Sequence, residues 1–415
     1  MEKFVVNGGR KINGSIKIES AKNSILPLLA GTILTTEETI IRNCPKILDV
    51  LSMIKLLEKL GAKTRFEGNS LIVDASGVNS CELGNELTGE LRSSVFLMGS
   101  LVSRTGCAKL AYPGGCDIGL RPIDLHINAL KELGVKIEED GGKINCFADK
   151  IIGKEIYLDF PSVGATENIM LACAISCGRT IINNPAKEPE IKDLMNFLNK
   201  MGAKIFGGGG DKIIIDGVER LHGVEYIPIS DRIEAGTFLI GTVLTGGEIE
   251  LCGANPENLV PLLNKLYNNT CKIDIKGDII YLKSKGRIKA FNVETSPYPG
   301  FPTDLQAQAL ALTCVADGIS IIRENIFETR FKHVTELIKL GAKITVKDRV
   351  AIVRGVKRLC GTEVVAHDLR GGASLVLAGL CADGQTVISD VKHIERGYYQ
   401  FERKLKELGC DIKKI

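Results

Sequence analysis

The sequence predicts an α/β protein in which one α/β unit occurs six times, three copies in each of two domains. Three observations lead to this fold class. A short phrase around a glycine recurs along the chain, an apolar helical pattern precedes that glycine, and two alternating strand patterns follow it. Self-similarity at a fixed period indicates repeated supersecondary units that bury a continuous core only together.

The glycine phrase sets the period of the repeat. Its five clear copies centre on Gly61, Gly134, Gly202, Gly341 and Gly409, and a degenerate copy covers residues 265–268. Gly134 follows Gly61 by 73 residues, Gly202 follows Gly134 by 68, and Gly409 follows Gly341 by 68. The 139 residues from Gly202 to Gly341 are two periods, so the chain holds six units.

Each unit has the same predicted elements. A helical pattern such as that of residues 50–60 ends at the glycine, which we interpret as a helix C-cap. Two alternating strands joined by a polar turn follow, as in residues 343–353. A helix rich in small residues and then a strand lie upstream, as in residues 174–183 and 380–389.

The two ends of the chain predict how the domains are divided. The sixth unit stops at Ile415 after one strand, and residues 4–18 read like the end of the fifth unit. The N-terminal segment therefore completes the last repeat. This predicts one domain from 21 to 229 and a second from 1–20 plus 230–415. The backbone would cross between them twice, which suits a hinge that closes on a ligand.

Composition excludes several classes of function. The net charge of +3, without a dense basic stretch, argues against a nucleic-acid partner. No apolar run reaches the roughly 18 residues of a membrane helix, and no signal-peptide pattern opens the sequence, so we expect a cytoplasmic protein without a membrane partner. The thirteen cysteines lack a CxxC pair and the histidines lack metal spacing, which favours buried free thiols and no metal.

Cations recur where the first helix of a unit begins. These six starts lie at residues 20–23, 88–92, 161–164, 231–234, 302–304 and 368–372. Ser, Thr and Asp there are ordinary N-caps, but Lys22, Arg92, Arg232 and Arg370 face the unfavourable positive end of a helix dipole. Their repeated placement predicts that these helix starts share an anionic ligand.

One loop is elaborated beyond its counterparts in the other units. Residues 112–122 carry three glycines, Cys116 and Arg121, which is typical of a mobile lid with an exposed thiol. A neighbouring cation lowers the pKa of a thiol. From this pattern alone, Cys116 is either a reactive group or an inert loop cysteine.

These motifs resemble the enolpyruvyl transferase family over essentially the whole chain. The most specific matching segments are residues 21–23, 113–116, 121–126, 162–166, 299–304, 330–331, 368–370 and 396–397. The resemblance implies two inside-out α/β domains of three βαβαββ units each. It implies transfer of the enolpyruvyl group of phosphoenolpyruvate to the 3-hydroxyl of UDP-N-acetylglucosamine with release of phosphate, the first committed step of peptidoglycan precursor synthesis, without a cofactor.

The resemblance also implies roles for individual residues. Cys116 would be the general acid, the site of a covalent phospholactoyl adduct and the target of fosfomycin-type epoxides, and Asp304 the base; Lys22 and Arg396 complete the catalytic set. The residues implied to contact phosphoenolpyruvate are Lys22, Asn23, Arg121, Arg330, Arg370 and Arg396. Those implied to contact the nucleotide sugar are Asn23, Arg92, Arg121, Pro122, Ile123, Asp124, Leu125, Ser162, Val163, Gly164, Asp304 and Ile326. Asp231, Arg232, Glu328 and Asp368 would support the site or its closure.

One position departs from the family pattern, and two rival functions share the fold. Some members carry a lysine just before the segment at Ser162, near the diphosphate, whereas Phe160 and Pro161 stand here, so this phosphate contact is in question. The first rival is an enolpyruvyl transferase with a shikimate acceptor; the cysteine loop and residues 121–125 favour the nucleotide sugar. The second is a non-catalytic nucleotide-sugar sensor, which predicts loss of Cys116 or Asp304, yet both are present.

Overall fold

The computed structural model describes residues 2–84, 91–112, 114, 119 and 123–415. The chain divides into two compact units. We call the unit formed by Ser20–Cys116 and Pro122–Ile229 the N lobe, and the unit formed by Met1–Glu19, Asp117–Arg121 and Ser230–Ile415 the C lobe. Each lobe is described by itself below.

Three four-stranded sheets lie among the described residues of the N lobe. In spatial order, the sheets are β14 (Glu225–Tyr226), β3 (Glu38–Ile41), β5 (Ser70–Asp74) and β4 (Lys63–Glu67); β6 (Glu82–Leu83), β7 (Cys107–Ala111), β9 (Lys143–Phe147) and β8 (Lys136–Asp140); and β10 (Glu155–Tyr157), β11 (Arg179–Asn183), β13 (Lys212–Asp216) and β12 (Lys204–Phe206).

The C lobe repeats this arrangement. In spatial order, its sheets are β2 (Asn13–Lys17), β15 (Glu248–Cys252), β17 (Ile279–Ser284) and β16 (Cys271–Lys276); β18 (Val293–Glu294), β19 (Ile319–Arg323), β21 (Val350–Arg354) and β20 (Lys343–Lys347); and β22 (Glu363–Val365), β23 (Gln385–Ser389), β1 (Lys3–Asn7) and β24 (Asp411–Lys414). Every sheet has one parallel pair followed by two antiparallel pairs. The predicted βαβαββ unit is confirmed.

The helices connect these strands. They are α1 (Lys22–Thr32), α2 (Leu48–Lys59), α3 (Phe96–Thr105), α4 (Asp124–Glu132), α5 (Val163–Cys173), α6 (Pro189–Lys200), α7 (Arg232–Thr245), α8 (Val260–Tyr267), α9 (Gln306–Cys314), α10 (Val334–Lys339), α11 (Leu369–Cys381), α12 (Lys392–Glu395) and α13 (Phe401–Glu407). Short 3-10 helices cover Arg92–Val95, Pro256–Leu259 and Thr303–Leu305.

The N-terminal strands complete repeats at the other end of the chain. β1 lies between β23 and β24 and pairs antiparallel with both, so it supplies the last strand of the sixth repeat as predicted. β2 pairs parallel with β15 and supplies the first strand of the fourth repeat. The first repeat likewise takes its first strand, β14, from the end of the N lobe.

Each lobe has its helices inside and its sheets outside. Residues 165–173 of α5 and 233–244 of α7 are buried throughout, whereas strands such as β19 alternate between exposed and buried positions. Small residues let the inner helices approach closely. A Cβ added at Gly99 of α3 would lie 2.4 Å from the backbone oxygen of Asn168, so no larger residue fits. The inside-out architecture follows from this small-residue packing.

The glycine of the repeat phrase has the role predicted for it. Gly61, Gly134, Gly202, Gly341 and Gly409 all have positive φ, between 87° and 107°, directly after their helices. Glycine adopts this left-handed conformation without the steric cost of a Cβ. Among the described residues, no helix is both long and apolar enough to cross a bilayer.

Candidate active site

The C lobe holds a carboxylate between two buried arginines. Arg330 Nη2 donates to Asp304 Oδ1 at 2.9 Å, and Arg370 Nη2 donates to Oδ2 at 3.0 Å, with Nε at 3.3 Å. The arginine side chains are only 4% and 3% exposed, whereas that of Asp304 is 25% exposed. The carboxylate is therefore the part of this cluster that solvent reaches most.

Local structure explains how the three side chains are held. Asp304 lies in the 3-10 helix that precedes α9. Arg370 is the second residue of α11, whose N-cap Asp368 accepts hydrogen bonds from the amides of Arg370 and Gly371, both at 2.9 Å. Arg330 packs with its guanidinium carbon 5.5 Å from the centre of the Phe327 ring. Rigid helix starts thus fix two of the three groups.

A buried glutamate ties the neighbouring loop to the same place. Glu324 is fully buried, and its Oε2 accepts a hydrogen bond from the hydroxyl of Thr303 at 2.9 Å. Its Oε1 accepts from the amides of Ile326 at 2.9 Å and Phe327 at 3.2 Å. Since Thr303 directly precedes Asp304, this one carboxylate positions both the predicted base and the loop of Ile326.

Electrostatics keep the arginine charged and the nearby histidine neutral. Burial opposes the charge of Arg370, but attraction from Tyr398 and Asp304 outweighs it and raises the pKa of Arg370. Burial lowers the pKa of His333 to about 4, so this ring is neutral at pH 7. Nη1 of Arg370 is buried without a hydrogen-bond partner among the described residues. It is a charged donor that a second carboxylate could engage.

The other residues predicted in the C lobe lie at helix ends and loops. Asp231 caps α7 by accepting from the amides of residues 233 and 234, at 2.8 and 2.9 Å. The guanidinium carbon of Arg232 lies 5.8 Å from the Tyr298 ring centre. Glu328 accepts from Arg349 at 2.8 Å. Arg396 follows α12 directly.

In the N lobe, the predicted phosphate contact begins α1. Lys22 and Asn23 are the first two residues of this helix, and Lys22 Nζ lies 2.6 Å from Asp49 Oδ2 near the start of α2. Their side chains are 12% and 5% exposed. Asp49 therefore holds the ammonium group of Lys22 in one place while leaving it partly accessible.

Six of the residues predicted to contact the nucleotide sugar, 123–125 and 162–164, lie at a second pair of helix starts. Ser162 caps α5 by accepting from the amide of Ala165 at 3.3 Å. A Cβ added at Gly164 would lie 3.0 Å from the ring of His126, so Gly164 allows the start of α4 to approach. Asn168 contacts His126 Nδ1 at 3.1 Å. The structure thus brings residues 123–125 near residues 162–164.

The remaining N-lobe predictions fall in three places. Arg92 begins the 3-10 helix that leads into α3, and Asn168 ties this helix end to α5 by donating to the carbonyl of Val95 at 3.1 Å. Phe160, at the position of the family lysine, is 45% exposed. Cys116, Arg121 and Pro122 lie outside the described residues.

Several residues that support the site were missed by reasoning from the sequence. Asp49, Glu324 and Tyr398 carry none of the cation or cysteine signals on which that reasoning relied. Tyr398 follows the Arg396–Gly397 motif by one residue, so its sequence neighbourhood could have found it. Asp49 and Glu324 are single acidic residues beside apolar runs, and only the fold shows their partners.

The cations at two of the helix starts have carboxylate partners within their own lobes. Arg370 pairs with Asp304, and Lys22 pairs with Asp49. The anionic ligand that these helix starts were predicted to share stays a prediction. Carboxylates that hold cations at defined positions preorganise a site for anions, and a partly exposed carboxylate such as Asp304 can also accept a proton.

Two inside-out lobes of three βαβαββ repeats, with basic groups at their inner helix starts, are the architecture of an enolpyruvyl transferase. The family model described as EPSP synthase (3-phosphoshikimate 1-carboxyvinyltransferase) matches residues 6–405, and the chain belongs to this family. Its relatives specify the type of member more closely. This chain is 50% identical to UDP-N-acetylglucosamine 1-carboxyvinyltransferase 2 of Caldanaerobacter subterraneus, over all of both chains. It is 47% identical to UDP-N-acetylglucosamine 1-carboxyvinyltransferase 1 of Clostridium acetobutylicum, again over all of both chains.

Solved structures agree with this assignment of the fold. The enolpyruvyl transferase NikO from Streptomyces tendae superposes with a TM-score of 0.90 at 26% identity, covering 100% of this chain and 98% of NikO. EPSP synthase from Acinetobacter baumannii superposes with a TM-score of 0.75 at 17% identity, covering all of both chains. The lower identity of the second supports the fold alone.

Proposed function

We propose that this protein transfers the enolpyruvyl group of phosphoenolpyruvate to the 3-hydroxyl of UDP-N-acetylglucosamine and releases phosphate. The observation that carries the proposal is the Asp304 carboxylate held by two buried arginines, because it offers a proton acceptor beside donors for a carboxylate. Full-length relatives that bear the name of this reaction support the choice of acceptor.

The reaction is an addition followed by an elimination. Asp304 would take the proton of the sugar 3-hydroxyl as its oxygen attacks C2 of phosphoenolpyruvate, and Cys116 would protonate C3. The resulting tetrahedral intermediate carries both the sugar oxygen and the phosphate on C2. Loss of a proton from C3 and departure of phosphate then restore the double bond as an enol ether. The groups that donate and accept the protons must stand on opposite faces of the reacting carbons.

Charged groups would stabilise the anionic substrates and intermediate. Arg330 and Arg370 would bind the carboxylate of phosphoenolpyruvate through the guanidinium donors that Asp304 does not engage. Lys22, Arg121 and Arg396 would contact its phosphate, with Asn23 alongside. Fixed donors of this kind stabilise developing charge without reorganisation.

The nucleotide sugar would lie against the N lobe. Its proposed contacts are Asn23, Arg92, Arg121, Pro122, Ile123, Asp124, Leu125, Ser162, Val163, Gly164, Ile326 and Asp304. The helix starts at residues 123–125 and 162–164 support this, because they approach each other in one lobe. We further propose that residues 21–229 and residues 1–20 with 230–415 act as the two domains. We also propose a cytoplasmic, cell-wall-building role, which the free thiols of the described cysteines suit.

The decisive experiment measures phosphate released from phosphoenolpyruvate with each acceptor. Purified protein should release phosphate with UDP-N-acetylglucosamine, in equal amount to the enolpyruvyl sugar that forms. It should not do so with shikimate 3-phosphate or without an acceptor. Release with shikimate 3-phosphate alone would assign the protein to the other branch of the family. Binding of the nucleotide sugar without turnover would identify a sensor.

A further inference from the structure

A closed network of buried polar groups lies behind Arg370, on the inner helices of the C lobe. It consists of Thr237 on α7, Gln308 on α9 and Tyr398 after α12, which are 0%, 0% and 1% exposed. The Tyr398 ring packs against the guanidinium group, with its centre 5.2 Å from Cζ of Arg370. None of these three residues is assigned a part in the reaction above.

The hydrogens of this network can be placed by counting donors and acceptors. The hydroxyl of Thr237 donates to the carbonyl of Ile233 at 2.7 Å, so its oxygen is left to accept. Tyr398 Oη lies 2.8 Å from that oxygen, and Gln308 Nε2 lies 3.1 Å from both oxygens. Because the one hydroxyl proton of Thr237 goes to Ile233, the proton between Thr237 and Tyr398 must come from the Tyr398 hydroxyl. Gln308 supplies the protons for the other two contacts.

The same count fixes the orientation of the glutamine amide. If Oε1 of Gln308 stood in place of Nε2, the four contacts, including that to the Ile233 carbonyl, would have to share the two hydroxyl protons of Thr237 and Tyr398. At least two buried pairs of oxygens would then face each other without a proton, which is costly. The orientation with Nε2 towards the hydroxyls leaves Oε1 buried without a partner among the described residues, but it supplies a proton to every contact and locks the hydroxyl end of Tyr398.

Apolar packing holds the ring of Tyr398, as the hydrogen bonds hold its hydroxyl. Its ring centre lies 4.8 Å from that of Phe401, which is itself 2% exposed. With both its hydroxyl and its ring held, Tyr398 gives the guanidinium of Arg370 a fixed aromatic surface, and a desolvated cation binds such a surface strongly. Asp304 engages Nε and Nη2 from the other side, which leaves Nη1 without a partner among the described residues.

We propose that Tyr398, locked by Thr237 and Gln308, is a positioning residue that holds Arg370 so that its Nη1 donates to the carboxylate of phosphoenolpyruvate. This inference rests on the proposed function for the identity of the carboxylate. Asp304 alone does not fix the guanidinium plane, because both of its contacts with Arg370 are made by the same oxygen, Oδ2, about which the group can turn. The aromatic ring removes that freedom. Arg370 is therefore already ordered before substrate binds, and less conformational entropy is lost on binding.

The test compares variants by steady-state kinetics and, without the acceptor, by equilibrium binding of phosphoenolpyruvate. Tyr398→Phe keeps the ring but removes the hydroxyl that anchors it to Thr237 and Gln308. This variant should lower kcat/KM for phosphoenolpyruvate about three- to tenfold. Tyr398→Leu removes the ring and should lower it about 30-fold or more. In both variants the KM for UDP-N-acetylglucosamine should stay within about twofold of wild type, which a general loss of folding would not produce.

Partner variants separate positioning from simple destabilisation. Thr237→Val removes the acceptor of the Tyr398 hydroxyl and should act like Tyr398→Phe, whereas Thr237→Ser keeps the hydroxyl and should restore wild-type values. Tyr281→Phe is the matched control, since its hydroxyl bonds Glu248 on the sheet surface at 2.9 Å, and it should leave all constants unchanged.

The outcomes distinguish this inference from the proposed function. A wild-type protein that binds phosphoenolpyruvate but releases no phosphate would overturn the proposed function. The binding constants of the variants would still test the positioning role of Tyr398. Unchanged affinity and unchanged kcat/KM in Tyr398→Phe and Thr237→Val would overturn the positioning role. No binding of phosphoenolpyruvate by the wild type would overturn both.

Discussion

Replacing Asp304 by Asn separates its observed ion pairs with two arginines from its proposed role as the base. The amide keeps the size of the side chain and one acceptor oxygen, but it loses the charge that faces Arg330 and Arg370 and the ability to take a proton. We therefore expect both a loss of stability and a loss of turnover. Because the two effects come from different physics, their magnitudes can be worked out separately.

The stability effect follows from two nearly buried arginines. At about 3 Å and an effective dielectric constant of about 20, each ion pair contributes roughly 5 kcal/mol of gross attraction, which desolvation largely offsets. Breaking a buried pair costs about 3–5 kcal/mol, because it leaves a charge uncompensated. Since Asp304 is 25% exposed, we expect the lower end, about 3 kcal/mol. For a lobe of this size that corresponds to a fall in Tm of roughly 6–12 °C.

Thermal unfolding and turnover of Asp304→Asn are then measured side by side. Turnover should fall about 10²-fold or more, because a general base contributes about 10²–10⁴. Phosphoenolpyruvate should raise the Tm of the variant more than that of wild type, since its carboxylate supplies the missing charge. Asp317→Asn is the control: its pair with Arg287 spans 3.4 Å between exposed side chains, and it should change stability by less than about 1 kcal/mol. Wild-type Tm in Asp304→Asn would refute the ion-pair reasoning, and wild-type turnover would refute its role as the base.

Three further predictions follow from other parts of the molecule. Burial, with Glu190 and Glu188 nearby, raises the pKa of Glu167 well above 4.5, so the folded state keeps a proton that the unfolded chain loses. Stability should therefore fall by up to about 1.4 kcal/mol per pH unit as pH rises above about 4.5, and Glu167→Gln should flatten this slope in Tm measured from pH 5 to 8. Cys116→Asp should keep some turnover and resist fosfomycin-type epoxides, while Cys116→Ser should lose about 10²-fold in turnover. Phosphate release measures the turnover and intact-protein mass spectrometry measures the epoxide labelling; labelling of another cysteine would contradict the assignment. Arg370→Ala should lose about 10²-fold in turnover and Arg370→Lys should recover little of it, and full activity in either would remove Arg370 from the site.

The fold could be predicted from the sequence because its signals are local and repeated. Gly341 and its counterparts end helices through a backbone conformation that glycine favours, and alternating strands such as residues 343–353 follow directly. Even the completion of the sixth repeat by β1 could be inferred, since residues 4–18 repeat the pattern that ends the fifth. Because the unit occurs six times, equivalent positions can be compared within this one sequence.

The site could be predicted only in part, because its organisation depends on contacts that are distant in sequence. Ser162, Asp231 and Asp368 cap helices as expected, but the cap predicted at Ser20 is wrong: Ala21 takes the N-cap position, and its amide donates to Ile229 at 2.7 Å. No local pattern shows that Asp304 lies against Arg370, 66 residues away, or that Lys22 meets Asp49. Burial and partner identity come from packing, which the sequence pattern does not specify.

The helix starts that looked equivalent in sequence differ in how they can bind an anion. Asp231 and Asp368 occupy two backbone amides each at the starts of α7 and α11 and place a negative charge at the positive end of the dipole. α1 begins at Ala21 without a side-chain cap among the described residues, and Lys22 follows at once. What α1 offers to an anion is the ammonium group of Lys22, which Asp49 holds in place. At α11 the cap already neutralises the helix end, so we propose that an anion there engages the guanidinium group of Arg370 rather than the backbone amides.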